Sequence, residues 1–192
     1  MLRRLDTIGR VTWATKVKLL LSSLRFGYIW YCEQVGSSKY FLNILKTRLI
    51  DINIQEWSTK ISNSESLKYY FTFKLNITQE NYLSVNVNQH IKRNITKLRL
   101  NLFQLNANLF RRKQANSPAC PVCDCAIEDI YHFVLECKHY NELRMQYLPK
   151  LYRNHVQNVY KFNQLCSNAD KSIMVSISCF LDKALAMRGE HV

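Results

Sequence analysis

Three cysteines and one histidine of this chain have a spacing typical of a tetrahedral metal site. Cys120 and Cys123 form a C-x2-C pair, and His132 and Cys137 follow within the same eighteen residues. A C-x2-C pair can present both thiolates from one tight turn, and the second pair can come from one short helix or its end. Structural Zn²⁺ sites use four such sulfur and nitrogen ligands. We therefore predict a structural Zn²⁺ ion bound by Cys120, Cys123, His132 and Cys137.

Other uses of these residues are open. Cys125 and His139 are alternative ligands that could replace Cys123 or Cys137. A redox-active C-x2-C pair would leave the histidine and the third cysteine without a role. A disulfide framework is disfavoured because seven cysteines is an odd number and no secretory signal is visible. A catalytic zinc ion usually has three protein ligands and an open position, so four ligands favour a structural ion.

The positive charge of the chain is concentrated upstream of these ligands. Residues 1–113 hold 19 Lys/Arg and 6 Asp/Glu, whereas residues 114–192 hold 8 of each. A basic stripe is the electrostatic signature of a surface that contacts phosphates. An acidic protein surface or a need for solubility would also account for it. The predicted nucleic-acid-binding residues lie between positions 88 and 113: Lys92, Arg93, Lys97, Arg99, Arg111, Arg112 and Lys113.

Composition and apolar periodicity predict a mainly α fold. Nearly half of the residues are hydrophobic and only four are glycine. Amphipathic helices are predicted from Trp13 to Leu24, closed by Gly27, from Ser37 or Ser38 onward, and over five turns from Ile91 to Leu109. Segments 69–73 and 75–87 fit either a helix or an extended strand. Further helices are expected over residues 140–152, 155–165 and 169–187.

The expected organisation is a helical domain with a small zinc-knuckle-like CCHC module inserted before C-terminal helices. The predicted division is a basic helical region over 1–113, a zinc module over 114–140 and helices over 141–192. No apolar run approaches the roughly 18–20 residues that span a bilayer. Together with retained thiols, this predicts an intracellular protein, nuclear or cytoplasmic, with no membrane partner. Paired aspartates for two Mg²⁺ ions, as polymerases need, are absent, so we expect no enzymatic activity.

The cysteine–histidine segment resembles a known family. It is similar to the zinc-binding segment downstream of the reverse transcriptase domain in non-LTR (LINE-type) retrotransposons, and the similarity extends over roughly residues 13–152. The residues that carry the resemblance most firmly are Cys120, Pro121, Cys123, Glu128, Asp129, His132, Phe133 and Cys137. The chain departs from the family between Arg99 and Cys120, where relatives often carry a His-x-Leu and a Gly-Arg-Trp-like stretch.

The resemblance implies a C-terminal piece of a polyprotein that helps to hold template RNA or target DNA during target-primed reverse transcription. Our first hypothesis is therefore a zinc-stabilised module that binds RNA or DNA with little sequence preference, with a reverse transcriptase domain as a further candidate partner. The alternative is a retroelement-derived structural or protein-interaction module, or a remnant without function. Three aromatic residues near the site could stack on unpaired bases or pack on the zinc loop: Tyr131, Phe133 and Tyr140.

Overall fold

The computed structural model describes residues 12–32, 34–124, 126–153 and 158–189. The chain divides into two compact units, the first ending at Ser58 and the second beginning at Thr59. Over the described residues the fold is mainly α, as predicted, and strand pairing is limited to one antiparallel bridge between Ala119 and Ile127. No helix within these ranges is both long and apolar enough to cross a membrane.

The first unit contains helices α1 (Trp13–Ser23) and α2 (Gly27–Cys32) and most of α3 (Ser38–Ser62). The predicted helices that start near Trp13 and Ser38 are therefore confirmed. The end of α1 differs from the prediction, because Arg25, with φ of 64°, occupies the left-handed position after the helix. Gly27 instead begins α2.

The second unit contains the end of α3 and seven further described α-helices. They are α4 (Lys68–Phe73), α5 (Asn81–Ser84), α6 (Gln89–Arg99), α7 (Asn106–Arg111), α8 (Asn141–Tyr147), α9 (Val159–Ser167) and α10 (Lys171–Gly189). Helix α10 packs against α6 and α8, and α9 packs against α4 and α6. The ambiguous segment 69–73 is helical, and Pro149 separates α8 from a short 3₁₀ turn, Lys150–Tyr152. The predicted helix over 155–165 is described from Val159 onward.

The continuous five-turn helix predicted over residues 91–109 is wrong, because α6 and α7 are separate helices. Asn101 adopts a left-handed backbone conformation with φ of 51°. The backbone N–H of Leu102 donates to the carbonyl of Lys97 at 2.8 Å. This Schellman closure satisfies the last carbonyls of α6 and turns the chain before α7 begins.

One apolar core holds the second unit together, and it includes residues of the predicted metal site. Cys120 and Cys137 are at most 1% exposed and belong to the same buried cluster as the aromatic side chains around them. The Phe133 ring contacts the ring of Tyr140, with 4.9 Å between centroids. Because Tyr131, Phe133 and Tyr140 are all buried, these rings pack in the core and are not available to stack on bases.

Candidate metal centre

Four side chains converge on one point in the second unit. The ligand atoms of Cys120, Cys123, His132 and Cys137 all lie within 4.8 Å of one another. The Sγ atoms of Cys120 and Cys137 are 4.0 Å apart, and Cys123 Sγ is 3.4 Å from His132 Nε2. The predicted convergence of these residues is therefore confirmed, and the group could hold a metal ion.

The structure tests one of the two alternative ligands, His139, but does not describe the other, Cys125. His139 is not one of the four clustered residues; its side chain is exposed, and its ring lies edge-on to that of Tyr140 at 5.4 Å. Cys125 lies outside the described residues.

The first ligand pair comes from a tight loop closed by backbone hydrogen bonds. The N–H of Cys120 donates to the carbonyl of Ala126 at 2.8 Å, and the N–H of Asp124 donates to the carbonyl of Cys120 at 2.9 Å. Asp124 adopts a left-handed conformation with φ of 50°, which Asp tolerates better than most residues. The loop thereby turns back on itself and brings both cysteine sulfurs into the cluster.

The second ligand pair depends on a π-helical turn, His132–Glu136. The N–H of Cys137 donates to the carbonyl of His132 at 2.8 Å, an i→i−5 bond. In an α-helix, with 3.6 residues per turn, residues five apart differ by roughly 140° around the axis. The wider π turn makes this difference much smaller, and so brings both ligands to one side.

Asp129 fixes the start of this helical turn. One carboxylate oxygen accepts the backbone N–H of His132 at 2.9 Å. The other accepts the Tyr69 hydroxyl at 2.7 Å and the Lys68 ammonium at 3.0 Å. Burial, followed by the hydrogen bond to Asp129, raises the pKa of Tyr69 well above its ordinary value. Asp129 therefore joins the histidine ligand to helix α4.

The cluster favours an ionised sulfur. Hydrogen bonds from the Cys137 thiol, then from His132 and from the backbone N–H groups of Val122 and Cys123, outweigh burial and hold the pKa of Cys120 well below its ordinary value. The hydrogen bond to Cys120 contributes most to the rise in the pKa of His132 to about 9. A thiolate is the form of cysteine that binds metals.

The ring nitrogen of His132 that faces away from the cluster lies near a carboxylate. His132 Nδ1 is buried without a hydrogen-bond partner and lies 3.5 Å from a carboxylate oxygen of Glu136. Metal-binding histidines commonly donate their second ring N–H to such a group. With Nε2 directed into the cluster, the ring has the orientation that a ligand requires.

A buried arginine lies against the cluster and was not predicted as a site residue. Arg144 is 0% exposed, and its Nη2 donates to the carbonyl of Cys137 at 2.5 Å. Its Nε and Nη1 atoms are buried without hydrogen-bond partners. Burial lowers the pKa of Arg144, and the nearby Cys137 sulfur opposes that change. A buried cation needs a negative partner, and three thiolates with one divalent ion and a neutral histidine carry a net charge of −1.

The seven predicted nucleic-acid-binding cations have different environments. Arg93, Arg111, Arg112 and Lys113 are exposed, whereas Lys92 and Lys97 are half-buried. The Lys92 ammonium donates to the carbonyl of Leu83 at 2.7 Å. The exposed group at the end of α7, which we call the basic triplet, consists of Arg111, Arg112 and Lys113.

The prediction that Arg99 binds nucleic acid is wrong, because its side chain is only 5% exposed. Its Nη2 donates to a carboxylate oxygen of Glu80 at 2.6 Å, and its Nη1 donates to the carbonyl of Cys166. The guanidinium also lies over the rings of Phe73 and Tyr82, at 4.7 and 5.0 Å from their centroids. Arg99 therefore stabilises the core, and its guanidinium is not exposed for contact with a phosphate.

The N-terminal end of helix α7 is attached to the segment around the first two ligands (residues 119–124 and 126–128), which we call the metal loop. The backbone N–H of Asn106 donates to the Glu128 carboxylate at 2.6 Å, and the Asn106 side-chain amide donates to the carbonyl of Ala119 at 2.7 Å. The N–H of Ala107 donates to the backbone carbonyl of Glu128 at 3.2 Å. The loop that carries the first two metal ligands thus positions the helix that ends in the basic triplet.

We compared the chain with protein families, with curated proteins and with solved structures, and none of the three comparisons finds a match. The resemblance to the retrotransposon segment therefore stays a prediction.

Proposed function

We propose that the second unit is a Zn²⁺-stabilised module that binds nucleic acid through the basic triplet. The ligand set supports zinc because Cys₃His is a recurrent structural zinc set. Tetrahedral geometry with Zn–S of about 2.3 Å and Zn–N of about 2.0–2.1 Å requires S···S of about 3.8 Å and S···N of about 3.6 Å. The corresponding separations here are 4.0 Å between Cys120 and Cys137 and 3.4 Å between Cys123 and His132.

Elemental analysis of protein purified under reducing conditions tests the metal. We expect one zinc per chain in the wild type, and loss of both the metal and the cooperative unfolding transition in Cys120→Ser and in His132→Ala. Cys179→Ser is the matched control, because Cys179 is an exposed thiol outside the cluster. A chain that holds no zinc, or holds it equally well in all four proteins, would refute the assignment.

The observation that carries nucleic-acid binding is the attachment of α7 to the metal loop. Asn106 and Ala107 at its start bond to the loop, and all three cations after Phe110 are exposed. A Schellman closure, in which Gln114 N–H donates to the carbonyl of Leu109 at 2.8 Å, ends the helix at this point. Three cations on a rigid helix end suit a phosphate backbone, which attracts Lys and Arg without regard to sequence.

The role of the metal in this proposal is structural. The ion would hold the loop, the loop would hold α7, and α7 would present the cations. Since these contacts are made to phosphates, we expect binding of RNA and DNA with little sequence preference. The resemblance to the C-terminal segment of retrotransposon polyproteins supports the same function, since a reverse transcriptase must hold its template or target.

Fluorescence anisotropy with a labelled oligonucleotide, repeated over a range of salt concentrations, tests this function. Replacing the basic triplet by alanines should weaken binding and lower the slope of log K against log salt by roughly 0.7 per lost contact for a single strand. The matched control removes the same charge from exposed lysines elsewhere in the unit: Lys150, Lys171 and Lys183. Equal losses in both triple variants would show only an effect of net charge and would contradict a site at α7.

A second candidate function is protein docking, favoured by the first unit. Large apolar side chains of α3 between Tyr40 and Ile54 are exposed, including Leu42 at 60% and Ile50 at 48%. Exposed apolar surface of this kind is typical of interaction sites, and a polymerase domain is the partner that the resemblance suggests. Light scattering on Leu42→Asp with Ile50→Asp would test it, because self-association or capture of a polymerase domain should be lost while nucleic-acid binding is unchanged.

A further inference from the structure

A recess of about 580 Å³ lies between the metal loop and helix α7 in the second unit. Phe110 and Arg111 line it from α7, and Ile127 lines it from the metal loop. The opposite wall comes from residues 62–65 and Lys68. Its volume is within the range of 300–1,000 Å³ typical of small-ligand sites.

The apolar part of this recess is exposed. The Phe110 side chain is 47% exposed and that of Ile127 is 60% exposed. Tyr131, Phe133 and Tyr140 are buried, so Phe110 is the aromatic residue beside the metal loop that presents a ring to solvent within the described residues. An exposed aromatic face next to cations is the combination that single-strand binders use, with bases stacked on rings and phosphates on Lys or Arg.

The two sides of the recess differ in charge. Arg111 also lines a second recess of about 320 Å³, together with Arg112, so it stands between the two. At the far wall, Lys68 is paired with Asp129 at 3.0 Å, and Glu65 adds a negative charge. A phosphate chain is therefore attracted more strongly to the α7 side than to the far wall.

We infer that this recess receives an unpaired nucleobase, stacked on Phe110, from a single strand whose phosphates contact the basic triplet. The inference rests on the proposed function and adds the class of nucleic acid, single strands in preference to duplexes. A base inside a duplex is already stacked on both faces and cannot enter the recess without being extruded. The exposed Phe110 ring favours a base, whose flat face can stack on it, over an acidic peptide.

The test compares a labelled single-stranded RNA of twelve nucleotides with the corresponding blunt RNA duplex. In Phe110→Ala, affinity for the single strand should fall by roughly 5- to 150-fold, the range of alanine substitutions at stacking aromatics. Affinity for the duplex should be unchanged. Phe110→Trp should retain single-strand binding, and Tyr160→Ala is the control, since Tyr160 is an aromatic residue that is 66% exposed and does not line the recess. A strand with 2-aminopurine should show a change in fluorescence on binding to the wild type that is lost in Phe110→Ala.

The outcomes separate this inference from the proposed function. If Phe110→Ala binds the single strand as well as the wild type while the triplet variant does not, the recess is not a base site and the proposed function stands. If Phe110→Ala weakens single strand and duplex equally, Phe110 supports the helix and the inference is wrong. If the wild type shows no salt-dependent binding to either RNA, both the inference and the proposed function fail. Metal content and circular dichroism of each variant confirm that it is folded.

Discussion

Glu128 and Arg188 form a buried, two-bonded ion pair that joins the last helix to the metal loop. Arg188 Nε and Nη2 donate to the two carboxylate oxygens of Glu128 at 2.6 and 2.8 Å. Glu128 is 0% exposed and Arg188 is 8% exposed. The same carboxylate accepts the N–H of Asn106 at the start of α7. One side chain thus links α10, α7 and the loop that carries Cys120, so this pair should control the stability of the whole second unit.

Breaking this pair from one side should be costly. In Arg188→Met, the charge of Glu128 is left buried and uncompensated, and we expect the free energy of unfolding to fall by about 3–5 kcal/mol. Urea denaturation followed by circular dichroism measures the change. The double variant Glu128→Gln with Arg188→Met should be less destabilised than Arg188→Met alone, because no unpaired charge is left. A single variant that unfolds at the wild-type midpoint would contradict this role.

Arg144 should set the affinity of the metal centre. Its guanidinium lies against Cys137 and has two buried nitrogens without hydrogen-bond partners, so its charge can balance that of a metal bound by three thiolates. We expect Arg144→Met to weaken zinc binding by about 10- to 100-fold, the usual effect of removing a group that supports metal ligands. Competition with a chromophoric chelator measures the affinity.

Arg153→Met is the matched control for Arg144. The Arg153 guanidinium also donates to a backbone carbonyl, at 2.7 Å, but its side chain is half-buried and the carbonyl belongs to Leu148, which is not one of the four clustered residues. Equal effects of the two substitutions on zinc affinity would mean that Arg144 acts through the general stability of the fold.

Glu80 should make the stability of the second unit sensitive to acid. Burial opposes its ionisation, but the hydrogen bond from Tyr70 and the charges of Arg99 and Lys74 prevail and lower its pKa below the ordinary 4.5. Since the folded-state pKa is depressed, the ionised network stabilises the fold above about pH 4.5 and that contribution is lost as the pH falls below it. Glu80→Gln should therefore be less stable than the wild type at pH 7, and the difference should shrink towards pH 3. A difference that is constant with pH would rule out this ionisation.

Arg99→Met should separate folding from binding. Because Arg99 is held by Glu80 and by aromatic rings, its loss should lower the urea midpoint. The salt slope of RNA binding should be unchanged, since a buried guanidinium contacts no phosphate. If the salt slope of RNA binding fell as much as in an Arg112→Ala variant, Arg99 would have to contact RNA, and its purely structural role would be wrong.

The metal cluster could be predicted from the sequence because its four ligands lie within eighteen residues of the chain. C-x2-C spacing alone places two sulfurs in one turn, and the remaining pair needs one helical turn. Most helices could be predicted for a similar reason, since apolar periodicity is local. Helices α1 and α10 both begin close to the predicted positions, at Trp13 and Lys171.

Whether an individual cation is buried or exposed could not be predicted in the same way. Arg99 and Arg112 look alike in the sequence, but Arg99 is buried by partners as far away as Glu80 and Cys166. The break between α6 and α7 was also missed, because the apolar seam continues through it. The local signal was Asn101, a residue that tolerates the left-handed conformation that ends a helix.

Lys113 combines a helix-ending conformation with a charge, and the two effects can be separated. With φ of 59°, it occupies the left-handed position after α7, where its N–H donates to the carbonyl of Phe110 at 2.9 Å. A left-handed conformation costs an L-residue roughly 1–2 kcal/mol, whereas glycine adopts it freely. Lys113→Gly should therefore unfold at a higher urea concentration than Lys113→Ala, and its free energy of unfolding should be higher by about 0.5–1 kcal/mol. Both variants lose the same charge, so both should show the same reduced salt slope in RNA binding. If Lys113→Ala were the more stable of the two, the left-handed turn would not limit the stability of this helix end.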